Sequence, residues 1–159
     1  MPTRPARLSR ETSNVMLDET LRRFLGYRLK RAFTSIRAEI LQRLEPLGLR
    51  ITTFSALVLI VDNPGLRQSE LACALDIKRS NMVAIVDDLE NKGLIKRKAM
   101  PTDRRAFALF ATKAGQETYH QAVTVTSDYE TQVAGSLSAG ELNHLLSILD
   151  KIETSAGEA

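Results

Sequence analysis

From Leu17 the apolar positions fall at Leu17, Leu21, Phe24/Leu25, Leu29, Phe33, Ile36, Ile40 and Leu44. That three-to-four spacing predicts an amphipathic helix of about 28 residues, ended by Pro46 and Gly48. A helix that long exceeds the needs of a small lobe, so its stripe is expected to meet a second chain. Thr52 can cap a shorter helix through Phe54, Leu57, Val58 and Ile60, stopped by Asn63-Pro64-Gly65. Arg67 to Leu75 reads as another, with Leu71, Ala72 and Leu75 inward. Asp76 to Arg79 is a tight connection, and Ser80 can cap a helix to Lys92 that buries Met82, Ile85, Val86 and Leu89. Two short helices joined by about four residues are the arithmetic of a helix-turn-helix.

After Gly93 the period changes from 3.6 toward 2. Ile95–Ala99 and Ala106–Ala111 read as strands around a polar turn, Met100 to Arg105, giving a hairpin with a basic tip. Thr112 can cap a long helix striped by Gly115, Tyr119, Ala122, Thr126, Tyr129 and Val133. Ser138 and Glu141 form a capping box that opens a last helix with Leu142, Leu145, Leu146, Leu149 and Ile152. The expected fold is mainly α with a small β-hairpin. It comprises a flexible arm (1–16), a long N-terminal helix (17–48), a helix-turn-helix lobe with its hairpin (49–111) and C-terminal helices (112–159).

Charge adds a direction. The net charge of +3 divides into +6 over residues 1–50, −1 over 51–65, +3 over 66–105 and −5 over 106–159. Two basic segments ahead of an acidic tail suit a polyanionic partner. No apolar run reaches the roughly 18–20 residues that span a bilayer, so no membrane role is expected. Residues 1–10 lack the apolar region of a signal peptide. One cysteine, Cys73, cannot form an intrachain disulfide, and a cytoplasmic setting is expected. Cys73 itself reads as a small, partly buried filler.

The N-terminal residues of a recognition helix lie nearest the base edges of the major groove. Here they are Lys78, Arg79, Ser80 and Asn81, with Ala84 one turn on and Ser69 on the preceding helix. Asparagine can bond bidentately to adenine, arginine to guanine, and serine suits a phosphate oxygen. At the hairpin tip, Arg104 and Arg105 can enter the narrow minor groove, and Asp103 can hold a guanidinium by a bidentate pair. Lys96, Arg97 and Lys98 at the hairpin base are expected to serve phosphates, at least one of them being merely solvated.

These residues resemble the MarR family of bacterial transcriptional regulators, which are winged-helix dimers. The resemblance rests on Ser69-Glu70-Leu71-Ala72, the run Ser80 to Ile95, Asp103-Arg104-Arg105 and Ala111-Thr112-Lys113-Ala114-Gly115. It implies a winged helix-turn-helix lobe flanked by dimerisation helices, a homodimer on a pseudo-palindromic DNA operator, and release by a small organic effector. Asp103 then resembles the wing aspartate that orients Arg105, and Arg105 the minor-groove arginine, with Arg104 a spacer. Ala84 stands where the family often carries arginine, and Ala111-Thr112 where Leu-Thr is usual.

The family's ligand usually sits between the dimer helices and the DNA-binding lobe. Phe24, Tyr27, Arg28 and Arg31 from the first helix, and Phe54 and Leu57 from the second, could line such a cleft. They suit an aromatic carboxylate or, with the basic residues of helix one, an aryl coenzyme A thioester. Phe24, Phe54 and Leu57 read more readily as core. No metal cluster, cofactor or enzymatic constellation is expected: there is no Gly-rich phosphate loop, and two histidines with one cysteine are too few for a typical zinc site. The alternative is a winged-helix protein–protein adaptor, against which the basic helix start and hairpin tip both speak.

Overall fold

The structure is a computed structural model that describes residues 17–100 and 103–157; the arm read over 1–16 lies outside the described residues. A 3₁₀ turn at Leu21–Arg23 precedes helix α1 (Leu25–Leu44). The expected continuous helix is therefore broken at Phe24, whose backbone is extended (φ −91°, ψ 128°). A buried polar cluster accompanies the break. Asp18, only 5% exposed, accepts from Arg22 Nε at 2.8 Å, Tyr27 Oη at 2.7 Å and Arg31 Nη1 at 3.0 Å. The bond from Arg22 foremost, then that from Tyr27, holds its carboxyl below the ordinary value of 3.8. A lowered carboxylate stabilises fully above its ordinary value and loses that contribution as pH falls through the lowered one. Protection factors of the amides over residues 17–31, that is their intrinsic pH-dependent exchange rates divided by the observed ones, are accordingly expected to hold from neutral pH to about 4 and to fall below it. Asp18→Asn should lower them already at neutral pH, and wild-type protection factors that do not change below about pH 4 would count against the cluster.

Two compact units meet between Glu39 and Ile40, within α1. The second unit holds the core. A 3₁₀ turn (Glu45–Leu47) ends at Gly48, in the left-handed region at φ 67°, as the Pro46/Gly48 signal required. Helices α2 (Ile51–Asp62), α3 (Gln68–Ala74) and α4 (Arg79–Asn91) follow. Strands β1 (Ile95–Met100) and β2 (Asp103–Ala111) form an antiparallel hairpin; helices α5 (Lys113–Ala134) and α6 (Ala139–Gly157) complete the chain. Leu44, Leu57, Ile60, Leu71, Met82, Val86, Leu89 and Leu109 are wholly buried and form one cluster. Each helix of the lobe thus contributes the face its periodicity marked.

Caps account for where the helices begin. Thr53, not Thr52, accepts the Arg50 N–H at 2.8 Å at the start of α2, because Arg50 is the N-cap and the helix begins two residues earlier than a Thr52 cap would start it. Glu70 accepts the Arg67 N–H at 2.8 Å ahead of α3. Thr112 accepts from Gly115 N at 3.0 Å, and Ser138 and Glu141 exchange bonds of 2.8 and 3.3 Å, so the last two caps form as read. Ser80 does not cap α4: the extended Lys78 (ψ 137°) is its N-cap, with no side-chain bond, and Ser80 already lies inside the first turn.

The hairpin is longer than its alternation suggested. Backbone pairing runs Ile95↔Ala111 to Ala99↔Phe107, then shifts to Met100↔Asp103, so residues 103–105 belong to β2 rather than to the turn. A third short segment joins it, with Gly65 N bonded to Leu109 O at 2.8 Å and Leu109 N to Leu66 O at 2.9 Å. These bonds tie the α2–α3 turn to the hairpin and use edge groups of β2 that would otherwise be open.

The last helix stays largely uncovered. Leu145, Leu146 and Ile148 are 43%, 51% and 38% exposed. In the first unit Leu17, Phe24 and Phe33 are also exposed. Large apolar side chains in water at this density are characteristic of a surface that meets a partner.

Candidate nucleic-acid interface

Helix α4 has two sharply different faces. Met82, Val86 and Leu89 are wholly buried. Arg79, Ser80, Asn81, Val83 and Ala84 are exposed, as are Lys78 before the helix and Ser69 on α3. A 3.6-residue period explains the split: 82, 86 and 89 share one side, while 80, 81 and 84 share another. The first turn also has free backbone N–H groups, whose partial positive charge favours an anion. The other end is closed. Gly93, at φ 70°, donates to Glu90 O at 2.8 Å, and Leu94 N to Leu89 O at 3.0 Å, the double bond pattern of a glycine-ended helix.

The hairpin supplies the second set. Lys98 is exposed, with its Nζ 4.7 Å from the centroid of Phe110, so the aromatic face partly fixes the ammonium. Backbone places Asp103, Arg104 and Arg105 at the start of β2; their side chains lie outside the described residues. Arg97 departs from its expected phosphate role. It pairs with Asp87 and, at 3.2 Å, with Glu90, both on α4. Its guanidinium is spent inside the protein. The sequence signal was present: two carboxylates three residues apart on α4, and an arginine on the same strand face as the buried Ile95. Cys73 is exposed rather than partly buried, since it lies on the outer side of α3 from Leu71 and Ala72.

The residues named for an effector separate. Leu57 is wholly buried in the core and presents no surface to a ligand. Phe54 is half-buried and lines an open apolar groove of about 370 Å³ with Val58, Leu59, Leu75, Val123 and Thr126. Thr126 Oγ1 is buried without a hydrogen-bond partner among the described residues. Val58 and Thr126 were read as positions on their helices' inward stripes and not as groove walls, because periodicity marks an inward side but cannot tell a packed contact from an open one. Tyr27 and Arg31 line a separate groove of about 380 Å³ with Lys30, Thr34 and Ser35. Phe24 is 60% exposed, and Arg28 is exposed on α1.

Comparison with known proteins extends this geometry. The sequence pattern of the MarR family matches residues 49–107. A candidate transcriptional regulatory protein for the hcr operon of Thauera aromatica is 36% identical over 99 residues, 62% of this chain and 60% of that one. The chain thus spans about three-fifths of that curated relative. The transcriptional repressor CouR bound to a 23-mer DNA duplex is 36% identical, with a TM-score of 0.81 over 86% of this chain and 96% of that one. CouR bound to p-coumaroyl-CoA is 34% identical, with a TM-score of 0.77 over 84% and 94%. With its helix-turn-helix, hairpin and flanking helices in the same order, the chain belongs to the MarR family.

Proposed function

We propose that this protein is a homodimeric transcriptional repressor that binds a pseudo-palindromic operator and is released by an aromatic acyl effector. The observation that carries it is the two-faced helix α4, whose Met82/Val86/Leu89 side is sealed in the core while Arg79, Ser80, Asn81 and Ala84 face water. In this reading Asn81 and Arg79 read base edges, while Lys78, Ser80, Ser69 and Lys98 serve phosphates. Arg105, oriented by Asp103 and flanked by Arg104, enters the minor groove. The exposed leucines of α6 and, separately, the exposed apolar side chains of the first unit each offer a surface to a second copy, and two copies of α4 then lie about 34 Å apart. The repressor structure on DNA, at 36% identity, supports this reading.

The effector reading rests on the groove of α2, α3 and α5. About 370 Å³ is enough for an aromatic acyl group, and Phe54 and Leu75 supply apolar walls. The relative that holds p-coumaroyl-CoA favours a thioester over a free aromatic carboxylate. Its release of DNA is a population shift, in which the effector favours a dimer whose two α4 helices no longer match one turn of DNA.

Fluorescence anisotropy against DNA from the gene's own upstream region tests both parts. Binding is expected to be tight and to weaken steeply between two salt concentrations. An aryl coenzyme A thioester should abolish it where the matching free acid does not. Arg105→Ala should cost about tenfold or more on every operator variant, whereas Asn81→Ala should relax preference at one base pair per half-site. Salt-insensitive binding, or none to any sequence in a random library, would sink the repressor reading and leave the adaptor.

A further inference from the structure

We propose that Arg97 is a positioning residue that locks the hairpin onto the recognition helix, so that major-groove and minor-groove contacts keep a fixed separation. The inference rests on the DNA-binding reading of α4 and the hairpin and adds to it the part that couples them. Arg97 lies in β1 opposite Leu109, on the same strand face as the buried Ile95. From there its guanidinium reaches two carboxylates of α4. One nitrogen, Nη2, pairs with Asp87, and Nη1 lies 3.2 Å from Glu90 Oε2. Glu90 also accepts the Arg97 backbone N–H at 3.2 Å through Oε1. One carboxylate therefore holds both the main chain and the side chain of the same strand residue.

Three features raise this above an ordinary surface pair. The Arg97 side chain is only 24% exposed, and its Nε is withdrawn from solvent. The bonded N–H sits on the edge of β1 away from β2, a donor that a two-stranded hairpin leaves open. The bridge joins the two elements whose relative angle decides whether both can engage one duplex. Gly65 and Leu66 already hold the β2 edge at Leu109, and Arg97 holds the β1 edge opposite; with that edge released the hairpin would pivot, and each pivot would cost contact at its tip. The planar five-donor guanidinium can serve two carboxylates at once, which an ammonium cannot do with fixed geometry. Lys96 and Lys98, on the opposite strand face, are exposed and take no part.

Hydrogen exchange and hydroxyl-radical footprinting on the full chain test the proposal. In Arg97→Met, which keeps the aliphatic stem, amides of residues 95–99 and 107–111 should exchange at least tenfold faster, with α2 and α5 unchanged. DNA affinity should fall about tenfold, with protection lost at the minor-groove flanks and kept in the major-groove half-sites. Arg97→Lys should be intermediate. Should Arg97→Met fail to fold, Asp87→Asn with Glu90→Gln carries the test. That pair removes two negative charges from a DNA-facing element, so a purely electrostatic role predicts tighter binding with flanks still protected. The brace predicts the reverse, flank protection lost despite the removal of two negative charges. Unchanged exchange, or tighter binding with intact flanks, overturns the proposal while wild-type binding stands. A wild-type chain that binds no DNA overturns the underlying reading, and the proposal with it.

Discussion

Gly115→Ala is expected to be severely destabilising, although alanine is the better helix former. A Cβ at Gly115 would overlap the Leu94 carbonyl oxygen and come within 2.9 Å of its carbon. Neither atom can retreat cheaply. Leu94 O accepts the Thr112 N–H at 2.9 Å, and Leu94 N completes the end of α4. Thr112 Oγ1 binds Gly93 O at 2.7 Å while accepting from Gly115 itself. Residues 93–95 and 112–115 form one knot in which α4, β1 and α5 all begin or end. The overlap costs about 3 kcal/mol, the upper end of overpacking. Alanine's helix preference returns about 1 kcal/mol. A net loss of about 2 kcal/mol lowers the melting temperature of a chain this size by about 4–8 °C. Differential scanning calorimetry reads it directly, and Gly140→Ala is the control. Gly140 lies in the first turn of α6, where a Cβ meets nothing within 4 Å, so that change should be neutral or stabilising. Equal melting temperatures for the two variants would show that the knot has slack.

That glycine illustrates what the sequence could and could not carry. The element order was legible because each element has a period and a stop: Gly93 after α4, Thr112 before α5, the capping box before α6. The buried faces of α4 and α5 follow from spacing alone, since Met82, Val86, Leu89 and Ala122 are buried where 3.6-residue arithmetic puts them. The break at Phe24 was not legible, because Leu21, Phe24 and Leu25 keep helical spacing across it. It is accompanied by a three-dimensional convergence of Arg22, Tyr27 and Arg31 on the Asp18 carboxylate, which spacing alone does not announce. Arg97 was misread for a related reason. A strand with three consecutive basic residues looks uniformly suited to phosphate, and only the packing of β1 on α4 assigns one of them inward. The residues expected around an effector mixed a core leucine, Leu57, with a wall of one groove, Phe54, and walls of a separate one, Tyr27 and Arg31, because apolar side chains facing an open groove and facing a neighbour have the same sequence pattern.

Ala84→Glu is expected to abolish operator binding while leaving the fold intact. Ala84 is exposed on α4, one turn beyond Asn81 and away from the Met82/Val86/Leu89 side. Glutamate is a good helix former, so the folded state should lose less than about 0.5 kcal/mol. In the groove the new carboxylate faces phosphates and acceptor edges of bases. Like charges juxtaposed in an interface cost several kcal/mol, and about 3 kcal/mol is a loss of about 100-fold. Ala84→Arg makes the opposite change at the same site, where family members often carry arginine. It should tighten binding and steepen the salt dependence by about one counterion. Because the native side chain is a methyl group, neither variant removes an existing contact, so the two shifts report only what lies opposite residue 84. Anisotropy titrations at three salt concentrations, with melting curves to verify folding, separate the cases. If α4 lies in the major groove, the two variants move affinity in opposite directions with unchanged melting temperatures. If instead α4 faces a protein partner or solvent, both leave DNA binding where the wild type has it, and the recognition role passes from α4 to the hairpin alone.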